Sequence, residues 1–104
     1  MEKDNFKTDI VFRKFKDGQI IALMPHEVDT NKGLVCTYMH VGQHSSGDYN
    51  YVVSITKLAT EDEFADLKKE LESIGYDIKV IKKQNTDKYL KSLRNLLKSF
   101  SLFF

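Results

Sequence analysis

Residues 60–75 read TEDEFADLKKELESIG, and this stretch decides the fold because the spacing of apolar residues changes there. Thr60 with Glu63 three positions on matches a capping box, in which each side chain satisfies a backbone N–H that a helix start leaves free. Glu61, Asp62 and Glu63 also fall where the helix dipole favours negative charge. Phe64, Leu67, Leu71 and Ile74 then recur at i, i+3, i+7 and i+10, one apolar stripe along about four turns. Gly75 supplies the usual stop. The spacing predicts a helix with one face to bury.

Upstream the period is that of strands. Asp9–Lys16 carries Ile10, Val11, Phe12 and Phe15, and Asp17-Gly18 is a two-residue hairpin signal. Gln19–Met24 is the return strand, which Pro25 is expected to end because proline cannot donate to a ladder. His26–Gly33 reads as a loop with a turn at Asn31-Lys32-Gly33, and Leu34–Val41 as a third strand. Gly42–Asn50, rich in Gly, Ser, Asp and Asn, reads as a second loop. Tyr51–Leu58 alternates, with Tyr51, Val53 and Ile55 on one face. Downstream, Tyr76–Ile81 returns to strand alternation, and Thr86 can cap a final helix.

The expected order is four strands, a helix, a strand and a helix. Strands in series favour antiparallel meander pairing, and an apolar helix stripe needs a sheet face to cover. The expected class is α+β: an antiparallel sheet of four to five short strands covered by a helix, with a C-terminal amphipathic helix. Residues 1–85 form the core domain in this reading, and 86–104 pack on it or on a partner.

The chain has 104 residues, 41% hydrophobic and 30% charged, with one proline. That composition describes a globular protein and excludes collagen-like and mostly disordered chains. No apolar run approaches the roughly 20 residues that span a bilayer, and Met1–Asn5 opens no signal-peptide core. Cys36 is the single cysteine, which excludes an intramolecular disulfide; the expected compartment is the cytoplasm. Charge is segregated: residues 1–58 are balanced, 59–78 carry −5 and 79–104 carry +6.

Cys36, His40 and His44 are spaced C-x3-H-x3-H, with Asp48 close behind. Thiolate and imidazole bind zinc, so these three are weak metal candidates, although neither C-x2-C nor H-E-x-x-H is present. Cys36 and His40 lie roughly 13 Å apart on one strand, too far for a thiolate–imidazole pair. The Gly42–Gly47 loop lacks the lysine of a phosphate-binding loop. No enzyme signature and no cofactor is therefore expected, and Tyr38, His40, Gln43, His44 and Asp48 remain as a candidate pocket.

Tyr89, Leu90, Leu93, Leu96, Leu97, Phe100, Phe103 and Phe104 form one broad stripe at 3.6 residues per turn, with Lys88, Lys91, Arg94 and Lys98 largely elsewhere. Burial of each large apolar side chain is worth roughly 1.5–3 kcal/mol, so something must cover the stripe. The expected function is a non-enzymatic interaction module. Tyr89, Leu93, Leu96, Leu97, Phe100, Phe103 and Phe104 would bind a second copy or another protein. The first alternative is nucleic-acid binding by the basic tail (79–98), through Lys79, Lys82, Lys83, Lys88 and Lys91, with Phe12, Phe15, Tyr38, Tyr49 and Tyr51 as stacking faces. The second, ranked below it, is a metal-dependent enzyme at Cys36, His40 and His44. A sequence pI near 7.8 falls short of a dedicated binder, and a membrane surface is disfavoured by the absence of tryptophan.

Residues 12–25 (FRKFKDGQIIALMP) and 38–44 (YMHVGQH), with Asp48-Tyr49, FADLKKEL at 64–71 and Ile74-Gly75-Tyr76, resemble a family of small uncharacterised proteins of bacteria and phages. The resemblance covers residues 10–83. It implies a bacterial or phage setting, assigns no activity, and directs mutation first to Tyr38, His40, Gln43 and His44.

Overall fold

The computed structural model describes residues 7–30, 32–40 and 42–101, with side chains described through residue 98. Strand β1 (Thr8–Phe15) and β2 (Ile20–Val28) form an antiparallel hairpin with Val11 opposite Leu23 and Lys14 opposite Ile20. Phe15 N–H donates to Gln19 O at 2.9 Å, and Gly18 sits at φ +94°. The connection is thus three residues long, one more than Asp-Gly alone suggests, with glycine in the left-handed position such loops require.

Strand β3 (Val35–Tyr38) pairs antiparallel with β2, and β4 (His44–Gly47) pairs antiparallel with β3. Two expectations are corrected here. Pro25 does not end β2, which runs on to Val28, because the β2–β3 register shifts between Met24 and Val28 and the irregularity asks no N–H of residue 25. Part of the expected 42–50 loop is a strand: Met39 N–H donates to Gln43 O at 3.3 Å, which turns the chain so that His44–Gly47 lies beside β3.

The first half of the expected strand at 51–58 is helix, part of α1 (Tyr49–Ser54), and only its end is strand, β5 (Thr56–Leu58). Asp48 decides this, since its side chain accepts the Tyr51 N–H at 3.1 Å and caps the helix. Helical spacing buries Val52 and leaves Tyr51 62% and Ile55 39% exposed, which inverts the faces that alternation implies. Arg13 then fastens the turn into β5: Nε donates to Thr56 Oγ1 at 2.9 Å, and Nη2 to the Val53 and Thr56 carbonyls at 3.0 and 2.8 Å.

Helix α2 (Glu61–Ser73) starts with both halves of the Thr60–Glu63 capping box formed. Strand β6 (Ile78–Val80) and helix α3 (Thr86–Ser101) follow. The sheet order is β4-β3-β2-β1-β5, with β6 pairing β1 in parallel along its first half while β5 pairs its second half antiparallel. The class is α+β, as expected, with six strands instead of four to five and one parallel pair.

Both faces of the central strands are covered. On one, Ile10, Phe12, Ala22, Met24, Tyr38 and Ile78 pack against Phe64, Leu67 and Leu71 of α2. On the other, Val11, Ile21 and Leu23 pack against Val52 of α1. Burial on two sides explains why β1 and β2 carry unbroken apolar runs instead of strict alternation. Helix α3 lies along β2, outside both clusters.

Candidate functional site

The start of α3 is built by its neighbours in the fold. Asn85, one residue before the expected cap Thr86, performs the capping: its Oδ1 accepts the Lys88 N–H at 3.1 Å and its carbonyl the Tyr89 N–H at 3.0 Å. The Asn85 N–H donates to His26 Nε2 at 2.7 Å, and His26 Nδ1 lies 2.9 Å from Asp9 Oδ2. Lys88 Nζ reaches the same Asp9 oxygen at 3.3 Å. Burial alone raises the Asp9 carboxyl, but the hydrogen bonds from His26 and Lys88 outweigh it and hold the group below the usual carboxylate range. Gln84 adds two ties, its N–H to the Tyr49 hydroxyl at 2.8 Å and its Nε2 to Pro25 O at 2.9 Å.

Further along, α3 touches the body through polar contacts. The Val28 N–H donates to Ser92 Oγ at 3.1 Å, and the Tyr89 hydroxyl donates to Gly33 O at 2.9 Å. None of the described apolar side chains of α3 is buried. Tyr89, Leu93 and Leu96 are half-buried, and Leu90 and Leu97 are 38% and 43% exposed. The side chain of Phe100, and Phe103 and Phe104, lie outside the described residues. Among the described residues no helix is long and apolar enough to cross a membrane.

The candidate pocket assembles only in part. Tyr38 is buried, donates its hydroxyl to Glu70 and accepts the Gly42 N–H at 3.0 Å. The hydrogen bond to Glu70 is the main cause that raises the Tyr38 phenol above its ordinary value. The His44 ring stands edge-on to Tyr38 at 4.6 Å, with Nε2 3.1 Å from the Tyr76 hydroxyl. Tyr38 and His44 therefore meet Glu70 and Tyr76, two residues that sequence reasoning missed because they lie 32 positions away. His40 and Gln43 serve the β3–β4 turn, the Gln43 N–H donating to His40 O at 3.1 Å. Asp48 is the cap of α1, its side chain occupied by the Tyr51 N–H.

The metal reading gains no support from this placement: among the described residues no three His, Cys, Asp or Glu side chains converge to hold an ion. Cys36 is half-buried, and burial, then Asp29 and Glu27, push its thiol up, the opposite of what a nucleophile needs.

The basic tail divides. Lys79, Lys83 and Lys88 surround one depression of about 260 Å³ with Asp9 and His26, while Lys82 borders a different one beside Phe12 and Leu58. Lys91 is exposed on α3. The proposed stacking faces are largely spent: Phe12 stacks on Phe64 at 4.4 Å within the core, Tyr38 is buried, and Tyr49 and Phe15 pack on the α1 side. A larger depression of about 720 Å³ lies where Lys14, Lys16 and Lys57 gather, a grouping invisible until β5 pairs with β1.

No protein-family model, curated protein or solved structure matches this chain.

Proposed function

We propose that this protein is a non-enzymatic interaction module that associates with a second copy of itself through the apolar side of α3. The observation that carries the reading is the exposed edge of that helix: a 16-residue amphipathic segment, tied to Val28 of β2 and to Gly33 by hydrogen bonds, leaves Tyr89, Leu93 and Leu96 only half-buried and Leu90 and Leu97 exposed. Leaving Leu90 and Leu97 in water forgoes the burial that apolar area ordinarily finds, at roughly 25 cal/mol per Å². Self-association needs only that the stripe be complementary to itself, as in an isologous pair. The resemblance at residues 10–83 would set this module among small bacterial and phage proteins.

Light scattering on the full chain across a concentration series tests the reading. A concentration-dependent dimer is expected, reduced to monomer by Leu90→Glu with Leu97→Glu while circular dichroism stays unchanged. A monomer at every concentration counts against self-association. A second reading, phosphate contact by Lys79, Lys83 and Lys88, is favoured by their grouping around one depression. It requires nucleic-acid affinity that falls steeply with salt in a gel-shift titration.

A further inference from the structure

We propose that His26 is a pH-sensitive latch for α3, neutral when it holds the Asn85 backbone and released when it takes up a proton.

The Asn85 amide can only donate, so the Nε2 atom 2.7 Å away must offer its lone pair. The single ring proton therefore sits on Nδ1, where it is donated to Asp9 Oδ2 at 2.9 Å. The two neighbours fix the tautomer. Imidazole is the side chain whose ordinary change of charge falls between about pH 5 and 8. A second proton has one place to go, Nε2, and there it meets another N–H head-on. The bond that fastens the cap residue of α3 becomes a repulsion.

The surrounding charges set what happens next. Asp9 on β1 favours the imidazolium, and Glu27 adjoins His26 on β2. Lys79 on β6, Lys83 in the connector and Lys88 on α3 line the same depression and oppose it. The positive end of the α3 dipole also opposes it, tempered by Asp87 in the first turn. The ring therefore keeps Asp9, its ionic partner among the described residues, and gives up Asn85. Gln84 still reaches Pro25 and Tyr49, and Ser92 and Tyr89 still hold Val28 and Gly33. Protonation accordingly loosens the first turn of α3 and leaves the helix in place. Control of association through α3 rests on the function proposed above, whereas the latch itself does not.

Amide exchange by NMR on the full chain, expressed as protection relative to the intrinsic rate, tests the latch. Between about pH 7.5 and 5, protection at Asn85, Lys88 and Tyr89 should fall roughly fivefold to tenfold, with Leu71 in the core unchanged. The midpoint should coincide with the titration of the His26 ring nitrogens, which at neutral pH should show the proton on Nδ1. His26→Gln, whose Oε1 can accept but cannot titrate, should abolish the pH dependence; should that variant not fold, the coincidence of midpoints in the unaltered chain decides. Flat protection while His26 titrates, a ring that stays neutral to pH 5, or a proton found on Nε2 each overturns the proposal. Light scattering at the same two pH values reads association separately: a monomer throughout, with protection still lost on protonation, removes the function proposed above and keeps the latch.

Discussion

Lys14 stands directly opposite Lys57 across the β1–β5 ladder, and the carboxylate of Glu63 from α2 rests on Lys14. Like charges facing each other on a strand pair are unfavourable, and here one of the two is matched by a carboxylate. Lys57→Glu should therefore raise the melting temperature by about 1–5 °C, a gain read by calorimetry that should shrink in high salt. The pH dependence has a defined sign. The hydrogen bond from Lys14, then the backbone N–H of Thr60, holds the Glu63 carboxyl down at about 2. Its contribution is complete above the ordinary glutamate value and fades as pH falls towards 2, so Glu63→Gln should flatten the acid limb of the stability curve.

Asn85 and Thr86 separate a cap seen in three dimensions from one inferred from composition. Asn85→Ala removes the acceptor for the Lys88 N–H and should cost about 1 kcal/mol in urea unfolding. Thr86→Ala, within the helix, should change stability by no more than a few tenths of that. Equal losses from the two variants would contradict the assignment of the cap.

Gly33 is held by both its backbone and its neighbour. It sits at φ +83°, and a Cβ there would meet the Tyr89 hydroxyl oxygen at 2.5 Å. Gly33→Ala should displace Tyr89 and loosen the first turns of α3, seen as faster exchange of α3 amides with the α2 amides unchanged. Gly42 is also at positive φ, with open space at its Cβ, so Gly42→Ala meets only the backbone penalty.

Cys36 should be a slow thiol. Burial and the carboxylates of Asp29 and Glu27 raise it, so a disulfide reagent at neutral pH should label it at least about tenfold more slowly in the folded chain than after denaturation. Equal rates would show that the thiolate is not suppressed by the fold.

The parts of this architecture that were legible in the sequence are those set by local chemistry. The Thr60–Glu63 box and the stripe of Phe64, Leu67 and Leu71 place α2 to the residue, although Ile74, the last member of that stripe, is the helix cap and is 52% exposed. Residues 44–58 were misread for two reasons. Strand β4 is His-Ser-Ser-Gly, with little strand preference of its own, and exists because β3 pairs with it. Across 51–55 a strand and a helix compete for the same few apolar residues, and Asp48 settles the contest from outside the apolar run. The chain of contacts from Asp9 through His26 to Asn85 spans 17 and then 59 positions, and no local pattern announces it. The candidate pocket was half legible: Tyr38 and His44 are neighbours, and their partners come from α2 and the segment after it.

Strand β1 touches β2 beside it, β5 over its last residues and β6 over its first, so Thr8 finds its ladder partner in Ile78, roughly seventy residues later. Such distant closure is slow relative to local hairpins. During synthesis, one margin of β1 must wait until the segment that carries β6, some seventy residues further on, has been made. In that interval Ile10 and Phe12 lack part of the shelter that Ile78 gives them, so the unfinished chain presents apolar surface that the finished fold covers.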